Sequence, residues 1–399
     1  MKNQSILEIE VNSKRLLIRA DLNVPINDGK ITDDTRIKRF CQGMLKLLQK
    51  GAKLIIVTHM GRPKGIRQSA LSTKILINSL EKYLKKEIVF SDNCIENNTI
   101  KISKNLQDHQ ILLCENLRFY GEEEENDLNF AKQLSLLGDY FVNDAFSCSH
   151  RAHASTEGIT KFIPSFSGPM LNEEISALKI ALENPQEPSL AIIGGAKVSS
   201  KISVLKNLVS KLDGIIIGGG MANTFLFAKG APMGKSMYES DYINTVSEIE
   251  NLAKNNDCNL YLPVDVVIAE EFKENATHYT IPFNQCPKKS MILDVGENSI
   301  ELFKRVIEKS KTILWNGPLG AFEIKPFNNA TKVLANFTAT MTKNKKCISV
   351  AGGGDTLSAL NSANASDDFT YVSSAGGAFL EWLEGKDLPG IKALRVKSG

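Results

Sequence analysis

Five times in the second half of this chain a short apolar run ends directly in small residues, with a plausible helix behind it. The junctions read Ile192-Ile193-Gly194-Gly195-Ala196-Lys197, Ile216-Ile217-Gly218-Gly219-Gly220-Met221, Leu314-Trp315-Asn316-Gly317-Pro318, Val350-Ala351-Gly352-Gly353-Gly354-Asp355-Thr356 and Val372-Ser373-Ser374-Ala375-Gly376-Gly377. In a doubly wound α/β sheet such turns all fall along the carboxyl edge of the strands, where ligands bind. Glycine admits close approach of a ligand to the backbone, and a helix N-terminus behind it offers free N–H groups and partial positive charge to phosphate. One such turn is only the geometry of a tight βα connection. Five in one domain read as a phosphate cradle.

The rest of the chain fits that architecture. Short β-branched runs alternate with segments of helical period, the pattern of parallel sheets covered by helices on both faces. Strands are expected at 15–20, 53–58, 87–90, 110–114 and 140–143, then at 190–193, 214–217, 312–315, 347–350 and 370–373. A helix is expected over 33–49, capped by Thr32, Asp33 or Asp34, with acids in its first turn and Gly51 just past its end. At 399 residues the chain exceeds the size at which one core keeps growing, so two domains are expected. After Pro164 and Pro169 an amphipathic run over 171–183 stops before Pro185 and Pro188, and reads as a helix joining the domains. The fold class is therefore α/β, with two similar-sized doubly wound domains, each with a mainly parallel sheet. The expected division is 1–168, a linking helix at 169–184, 185–380, and a closing segment at 381–399.

Composition excludes several classes. No apolar run approaches the roughly 20 residues that span a bilayer, and residues 1–10 carry two acids and no apolar core of a secretory signal, so a cytoplasmic location is expected. The seven cysteines, Cys41, Cys94, Cys114, Cys148, Cys258, Cys286 and Cys347, include no C-x-x-C pair, which supports neither a disulfide framework nor a zinc site. A net charge of +3 is too small for a nucleic-acid partner. The arginines are segregated: eight of the ten lie in the first 151 residues, leaving Arg305 and Arg395. Because a guanidinium fork matches carboxylate and phosphate oxygens, this asymmetry suggests a small anion bound by the first half. No G-x-G-x-x-G occurs, and Gly230-Ala231-Pro232-Met233-Gly234-Lys235-Ser236 is one residue short of a Walker loop and follows a helical stretch. A nucleotide would be held by the five-turn cradle instead.

Longer motifs carry a resemblance. They are Arg19-Ala20-Asp21-Leu22-Asn23-Val24-Pro25, Thr58-His59-Met60-Gly61-Arg62-Pro63, Glu115-Asn116-Leu117-Arg118-Phe119, and Asn143-Asp144-Ala145-Phe146 followed by His150-Arg151-Ala152-His153. Then come Gly194-Gly195-Ala196-Lys197-Val198-Ser199-Ser200-Lys201, the triple-glycine turns, Trp315-Asn316-Gly317-Pro318 with Glu323, and Leu383-Glu384-Gly385-Lys386. In this order the chain resembles the phosphoglycerate kinase family over essentially its whole length. The resemblance implies two α/β domains separated by a cleft with a hinge. The first would bind 3-phosphoglycerate or 1,3-bisphosphoglycerate, the second MgATP or MgADP, and the C-terminal segment would return to the first domain. It further implies a monomer with small-molecule substrates and no nucleic-acid or membrane partner.

By position, the resemblance assigns Asp21 and Asn23 to the glycerate hydroxyl and carboxylate. Arg19, His59, Arg62, Arg118 and Arg151 fall in a basic patch around the substrate phosphate, and Arg36 points at the transferring group. Nucleotide contacts fall on Lys197, Lys201, Gly219, Gly220, Asn316 near the triphosphate, Pro318, Glu323 at the ribose, Gly352, Gly353, Gly354, Asp355 and Thr356. Asp355 is the expected Mg²⁺ ligand, and the catalytic set is Arg36, Lys197, Lys201, Gly353 and Gly376. His109, His278 and the acidic run 122–125 match nothing; the acids read as the solvated start of a helix, and His150 and His153 receive no catalytic role. Two departures lie beside expected contacts: Ala375 stands at the first glycine of a usual Thr-Gly-Gly-Gly run, and Ser147-Cys148-Ser149 replaces a Gly-containing stretch. Ala375 is expected at φ < 0.

The chemistry agrees with the absence of a general-base motif. A carboxylate leaves and an ionised phosphate oxygen accepts, so no proton has to move, and positioning with positive charge is what remains to be supplied. A dehydrogenase would need the missing dinucleotide fingerprint. A mere phosphate-binding scaffold would need no cations on the transfer path.

Overall fold

A parallel strand covered on both faces reads as a continuous apolar run, and the first-half runs fold that way. The computed structural model describes residues 4–395. They divide into two units, 4–175 with 387–395, and 176–386.

The first unit holds β1 (Arg15–Ala20), β2 (Lys53–Val57), β3 (Ile88–Ser91), β4 (Ile111–Cys114), β5 (Tyr140–Asp144) and β6 (Ser165–Ser167). They form one parallel sheet in the order β3-β4-β2-β1-β5-β6. Leu16, Ile18 and Ala20 alternate onto one face and share a core with Phe40, Met44 and Leu47 of α1 (Thr35–Gln49). The acids expected in the first turn of α1 precede it instead. Asp33 accepts from the Thr35 amide at 2.9 Å, and Asp34 accepts from Lys82 and Tyr83.

The second unit holds β7 (Ser189–Ile193), β8 (Gly214–Ile217), β9 (Asn259–Tyr261), β10 (Asp265–Ala269), β11 (His278–Pro282), β12 (Met291–Val295), β13 (Thr312–Asn316), β14 (Ile348–Gly352) and β15 (Tyr371–Ser373). Its parallel sheet runs β9-β8-β7-β13-β14-β15, the 3-2-1-4-5-6 order of doubly wound nucleotide-binding folds. A small antiparallel sheet, β11-β10-β12, was not foreseen. The residues of β11 are mostly exposed, so no buried face writes an alternating pattern there.

Between them runs α2 (Pro169–Leu182). It begins two residues before the expected 171, because proline is tolerated in the first helical turn, where its missing N–H has no intrahelical partner. The division between units falls inside α2, after Ile175, and again after Lys386. Residues 381–386, expected in the closing segment, therefore stay with the second unit, where Asn207 donates to the Leu383 carbonyl at 2.8 Å.

Each sheet has a switch point, where crossovers depart to opposite sides and strand ends open a crevice. In the first unit it lies between β1 and β5, in the second between β7 and β13.

Candidate functional site

The chain leaving β1 carries Asp21 and Asn23, and that leaving β5 carries Ser147 and Cys148, so four chemically active side chains gather at the first switch point. Arg36, on the first turn of α1, donates from Nη1 to Asp21 Oδ2 at 2.9 Å and to the Asn23 carbonyl at 3.0 Å. The Ser147 hydroxyl donates to the same Asp21 oxygen. Asn23 Oδ1 accepts from the Gly61 amide at 2.9 Å, tying this loop to the one that carries His59 and Arg62. Arg118, beyond β4, donates to the Gly61 carbonyl at 2.8 Å. Arg62 and Arg151 are exposed. Burial would raise the Asp21 carboxyl, but Arg36, the Ser147 bond and Arg19 hold it below the usual range. Arg36, expected to point at a transferring group, thus has part of its guanidinium bound to Asp21 and Asn23.

Arg19 corrects a second expectation. It was assigned to the patch around a phosphate, yet it is fully buried. Its Nε donates to Ser155 Oγ at 2.8 Å and its Nη1 to the Ala20 carbonyl at 2.6 Å, while Nη2 lies 3.3 Å from His59 Nδ1 and 3.5 Å from Cys148 Sγ. Its position holds neighbours in place and does not meet solvent. The acidic run also departs from its reading: Glu123 is fully buried and grips Ser155, accepting from its amide at 2.9 Å and its hydroxyl at 2.5 Å. Burial raises the Glu123 carboxyl, against the pull of Arg19, Ser155 and Arg118. His153 lies 3.9 Å from Glu123, but burial and the surrounding arginines push it down to about 4, so the two form no ion pair near neutrality. Asp21, His59 and Cys148 bring ligand-type atoms within 4.8 Å of one another. With Arg36 on Asp21 and Arg19 on His59 and Cys148, that neighbourhood suits an anion and opposes a cation.

At the second switch point the charge comes mainly from the main chain. Helices α3 (Gly219–Ala228), α4 (Gly354–Ser362) and α5 (Gly376–Leu383) each start at a glycine turn, and none has a side-chain cap. At Gly354 and Gly376 the first amides remain available to an anion, aided by the helix dipole, whereas the Gly219 and Met221 amides already donate to the Leu319 and Gly195 carbonyls at 2.8 and 3.0 Å. A Cβ on Gly194 would meet the Pro318 carbonyl oxygen at 1.7 Å, so the turns after β7 and β13 pack on one another only because both are bare. Gly354 and Gly376 differ: nothing lies within 4 Å of where their Cβ would be. Ala375 has φ −91° and ψ 103°, its φ negative as expected, and α5 starts directly after it.

Lys201 sits under the crossing. Its ammonium donates to the Gly194 carbonyl at 2.6 Å, the Asn316 carbonyl at 2.9 Å and Asn316 Oδ1 at 2.7 Å. Burial pushes its pKa down to about 8, with Asp355 pulling the other way. Asn316, expected near a triphosphate, is buried and uses its amide on Lys201 and on the Gly352 carbonyl, 2.7 Å from Nδ2. Thr356 is buried too and accepts from the Gly317 amide at 2.7 Å. These two hold the turns together. Lys197, Glu323 and Asp355 are exposed. A cavity of about 250 Å³ is lined by Gly219, Gly220, Pro318, Glu323 and Asp355, with apolar walls from residues such as Val266. Val266 and Asn223, which also lines it, are not among the expected contacts: Val266 carries no charge or motif that distinguishes it from core residues, and Asn223 ends the Gly218-Gly219-Gly220-Met221-Ala222-Asn223 motif without a charge to single it out.

Two doubly wound units, one gathering arginines around a carboxylate and the other offering uncapped helix starts around a lysine, define a two-domain protein of phosphoryl chemistry. A family model described as phosphoglycerate kinase matches residues 6–386. The chain is 48% identical over 387 residues to the phosphoglycerate kinase of Ruegeria pomeroyi, covering 97% of each. Against that of Rhizobium meliloti it is 48% identical over 389 residues, covering 98% of each. Among solved structures, phosphoglycerate kinase from Coxiella burnetii superposes with a TM-score of 0.91 at 40% identity, covering 98% of this chain and 99% of that one. The enzyme from Pyrococcus horikoshii gives 0.81 at 28% identity, covering 98% of both. The chain belongs to the phosphoglycerate kinase family.

Proposed function

We propose that the chain reversibly transfers the acyl phosphate of 1,3-bisphosphoglycerate to MgADP, giving 3-phosphoglycerate and MgATP. It is a phosphotransferase of glycolysis and gluconeogenesis, with small-molecule substrates and ATP or ADP as the nucleotide. The observation that carries the reading is the family match over 6–386, in a chain that retains both anion-binding half-sites and Lys201.

In this reading Arg62, Arg118 and Arg151 hold the phosphate of the glycerate substrate, Asp21 and Asn23 its hydroxyl and carboxylate ends, and Arg36 the moving group. Lys197, Lys201 and the amides at Gly352, Gly353, Gly354, Gly376 and Gly377 meet the charge that spreads over the phosphoryl in flight. Glu323 takes the ribose. Asp355 suits Mg²⁺: it is an exposed carboxylate at a helix start beside free amides, and such a cation takes one or two carboxylates with phosphate oxygens and water. Bound there, the ion offsets charge on the nucleotide phosphates. No side chain has to accept a proton, so orientation and electrostatics account for the rate.

Residues of both units must act on one phosphoryl group, so the domains close for transfer, bringing reacting atoms within about 3 to 3.5 Å and excluding water from the acyl phosphate. The ends of α2 and the Leu388-Pro389-Gly390 stretch are the hinge candidates. Small-angle scattering is expected to show more compaction with both substrates than with either alone; an unchanged radius of gyration in a ternary complex that turns over normally defeats closure. A cytoplasmic monomer completes the proposal: all seven cysteines are free and buried, as a reducing compartment allows, and among the described residues no helix is long and apolar enough to cross a membrane.

A coupled assay supplying 1,3-bisphosphoglycerate and ADP is expected to yield ATP. No ATP above background overturns the reading.

A further inference from the structure

We propose that Glu123 is a positioning residue for substrate binding, acting through Ser155 and Arg19 to fix His59 as a neutral imidazole with its proton on Nε2. The proposal rests on the placement of His59 in the substrate half-site. Its links are all buried: Glu123, Ser155 and Arg19 have no exposed area and His59 is 6% exposed.

The donor and acceptor inventory fixes the direction of every bond. A guanidinium has no acceptor, so at the 2.8 Å contact between Arg19 Nε and Ser155 Oγ the serine must accept. Its one hydroxyl proton then goes to the Glu123 carboxylate at 2.5 Å, while the Ser155 amide holds the second carboxylate oxygen at 2.9 Å. Arg19 is thereby clamped between Ser155 and the Ala20 carbonyl, and its Nη2 meets His59 Nδ1 at 3.3 Å. Here too the arginine must donate. A proton on Nδ1 would set two donors face to face in a buried site, so Nδ1 is the bare nitrogen, with the Cys148 thiol 3.9 Å away as a second, weaker donor to it, and Nε2 carries the hydrogen. Among the described residues Nε2 has no hydrogen-bond partner, which leaves it as the ring's one N–H for a ligand.

The charged groups around His59 agree. Arg19, Arg118 and Arg36 oppose its protonation and Asp21 favours it; burial is the largest influence and, with the arginines, keeps the ring neutral. The expectation of a basic patch thus needs one refinement. His59 contributes a directed hydrogen bond, and the positive charge comes from the arginines. Arg19 and Arg118 also face Glu123, with neutral His153 beside it, so the carboxylate is the counter-charge that lets a guanidinium be buried at all.

The test is long-range ¹H–¹⁵N correlation spectroscopy on the full chain near neutral pH, with the five histidines assigned using His59→Gln. Wild type is expected to show His59 with an unprotonated Nδ1 and a protonated Nε2. Glu123→Gln and Ser155→Ala are each expected to convert this to a mixture of tautomers. Each is also expected to raise KM for 3-phosphoglycerate about tenfold, with a much smaller fall in kcat. A wild-type His59 protonated on Nδ1, or an unchanged tautomer in either folded variant, overturns the proposal. Where a variant does not fold, the other and the wild-type spectrum decide. Wild-type protein without ATP-forming activity but with the expected spectrum would remove the functional reading and leave the tautomer assignment standing.

Discussion

The first unit prepares for an anion with side chains, the second largely with its main chain. Around Asp21 the donors are guanidinium groups, Arg36 on the first turn of α1 and Arg118 on a loop tied by hydrogen bonds, and Arg62 and Arg151 are exposed. Around Lys201 they are the uncapped first turns of the helices at Gly354 and Gly376, beside glycine junctions packed so closely that Gly194 and Gly317 have no room for a methyl group. A side-chain donor can be removed without disturbing the sheet beneath it. A main-chain donor cannot be deleted, only crowded, and crowding it strains the fold.

The largest effect expected from this contrast is at Lys201, a half-buried cation beneath the second cradle. Lys201→Ala removes three donors at once and leaves the Gly194 carbonyl and Asn316 Oδ1 unpaired. Steady-state kinetics are expected to show kcat lowered by about 10³, with substrate KM values changed far less. A loss carried by KM alone rejects the catalytic role.

Next comes the steric contrast within the cradle. Gly317→Ala places a Cβ 2.2 Å from the Gly194 oxygen at φ +105°, and urea unfolding is expected to register a loss of about 3 kcal/mol together with lost activity. Gly376→Ala meets nothing within 4 Å, so its stability is expected to stay within about 0.5 kcal/mol of wild type while KM for ADP rises. Equal destabilisation by the two would erase the distinction between packing glycines and ligand-facing ones.

In the first unit, Arg62→Ala and Arg151→Ala are expected to leave the unfolding midpoint unchanged and raise KM for 3-phosphoglycerate about ten- to a hundredfold, the worth of a charge-assisted bond. Unfolding at lower urea by either variant would show that side-chain donors also support the fold.

The smallest effect is in pH. The Lys201 ammonium, held at about 8, loses its proton as pH rises through that value, so kcat/KM in the free enzyme is expected to fall above pH 8. Stability moves the other way. The folded pKa lies below the ordinary 10.5, so between the two values the unfolded chain binds more protons and the fold gains stability with rising pH. A profile flat to pH 10 in wild type would argue that bound nucleotide or solvent keeps the amine charged.

Much of this was written in the chain itself. Apolar runs buried on both faces marked ten of the parallel strands within about two residues, because continuous burial leaves a continuous pattern. The asymmetry of the arginines and the five glycine junctions pointed to an anion in each half, because both chemistries need particular residue types at strand ends. Strands without a buried face, such as β11, left no such trace. Neither did Glu123, which a composition of neighbouring acids marks as solvated and the fold buries, nor Arg19, whose motif names it without saying that it faces inward.

Sequence alone determined the alternation of strand and helix, the positions of the bare turns, and the set of charged residues, since these depend on local period and residue type. Tertiary structure decided which charges meet. Residues far apart in the chain, Arg19, His59, Glu123 and Ser155, form one hydrogen-bonded series only because the loops after neighbouring strands converge at a switch point. In the same way Lys201 finds Asn316, 115 residues on, through the pairing of β7 with β13. The direction of a hydrogen bond and the burial of a charge depend on those long-range pairings, and no local pattern in the chain encodes them.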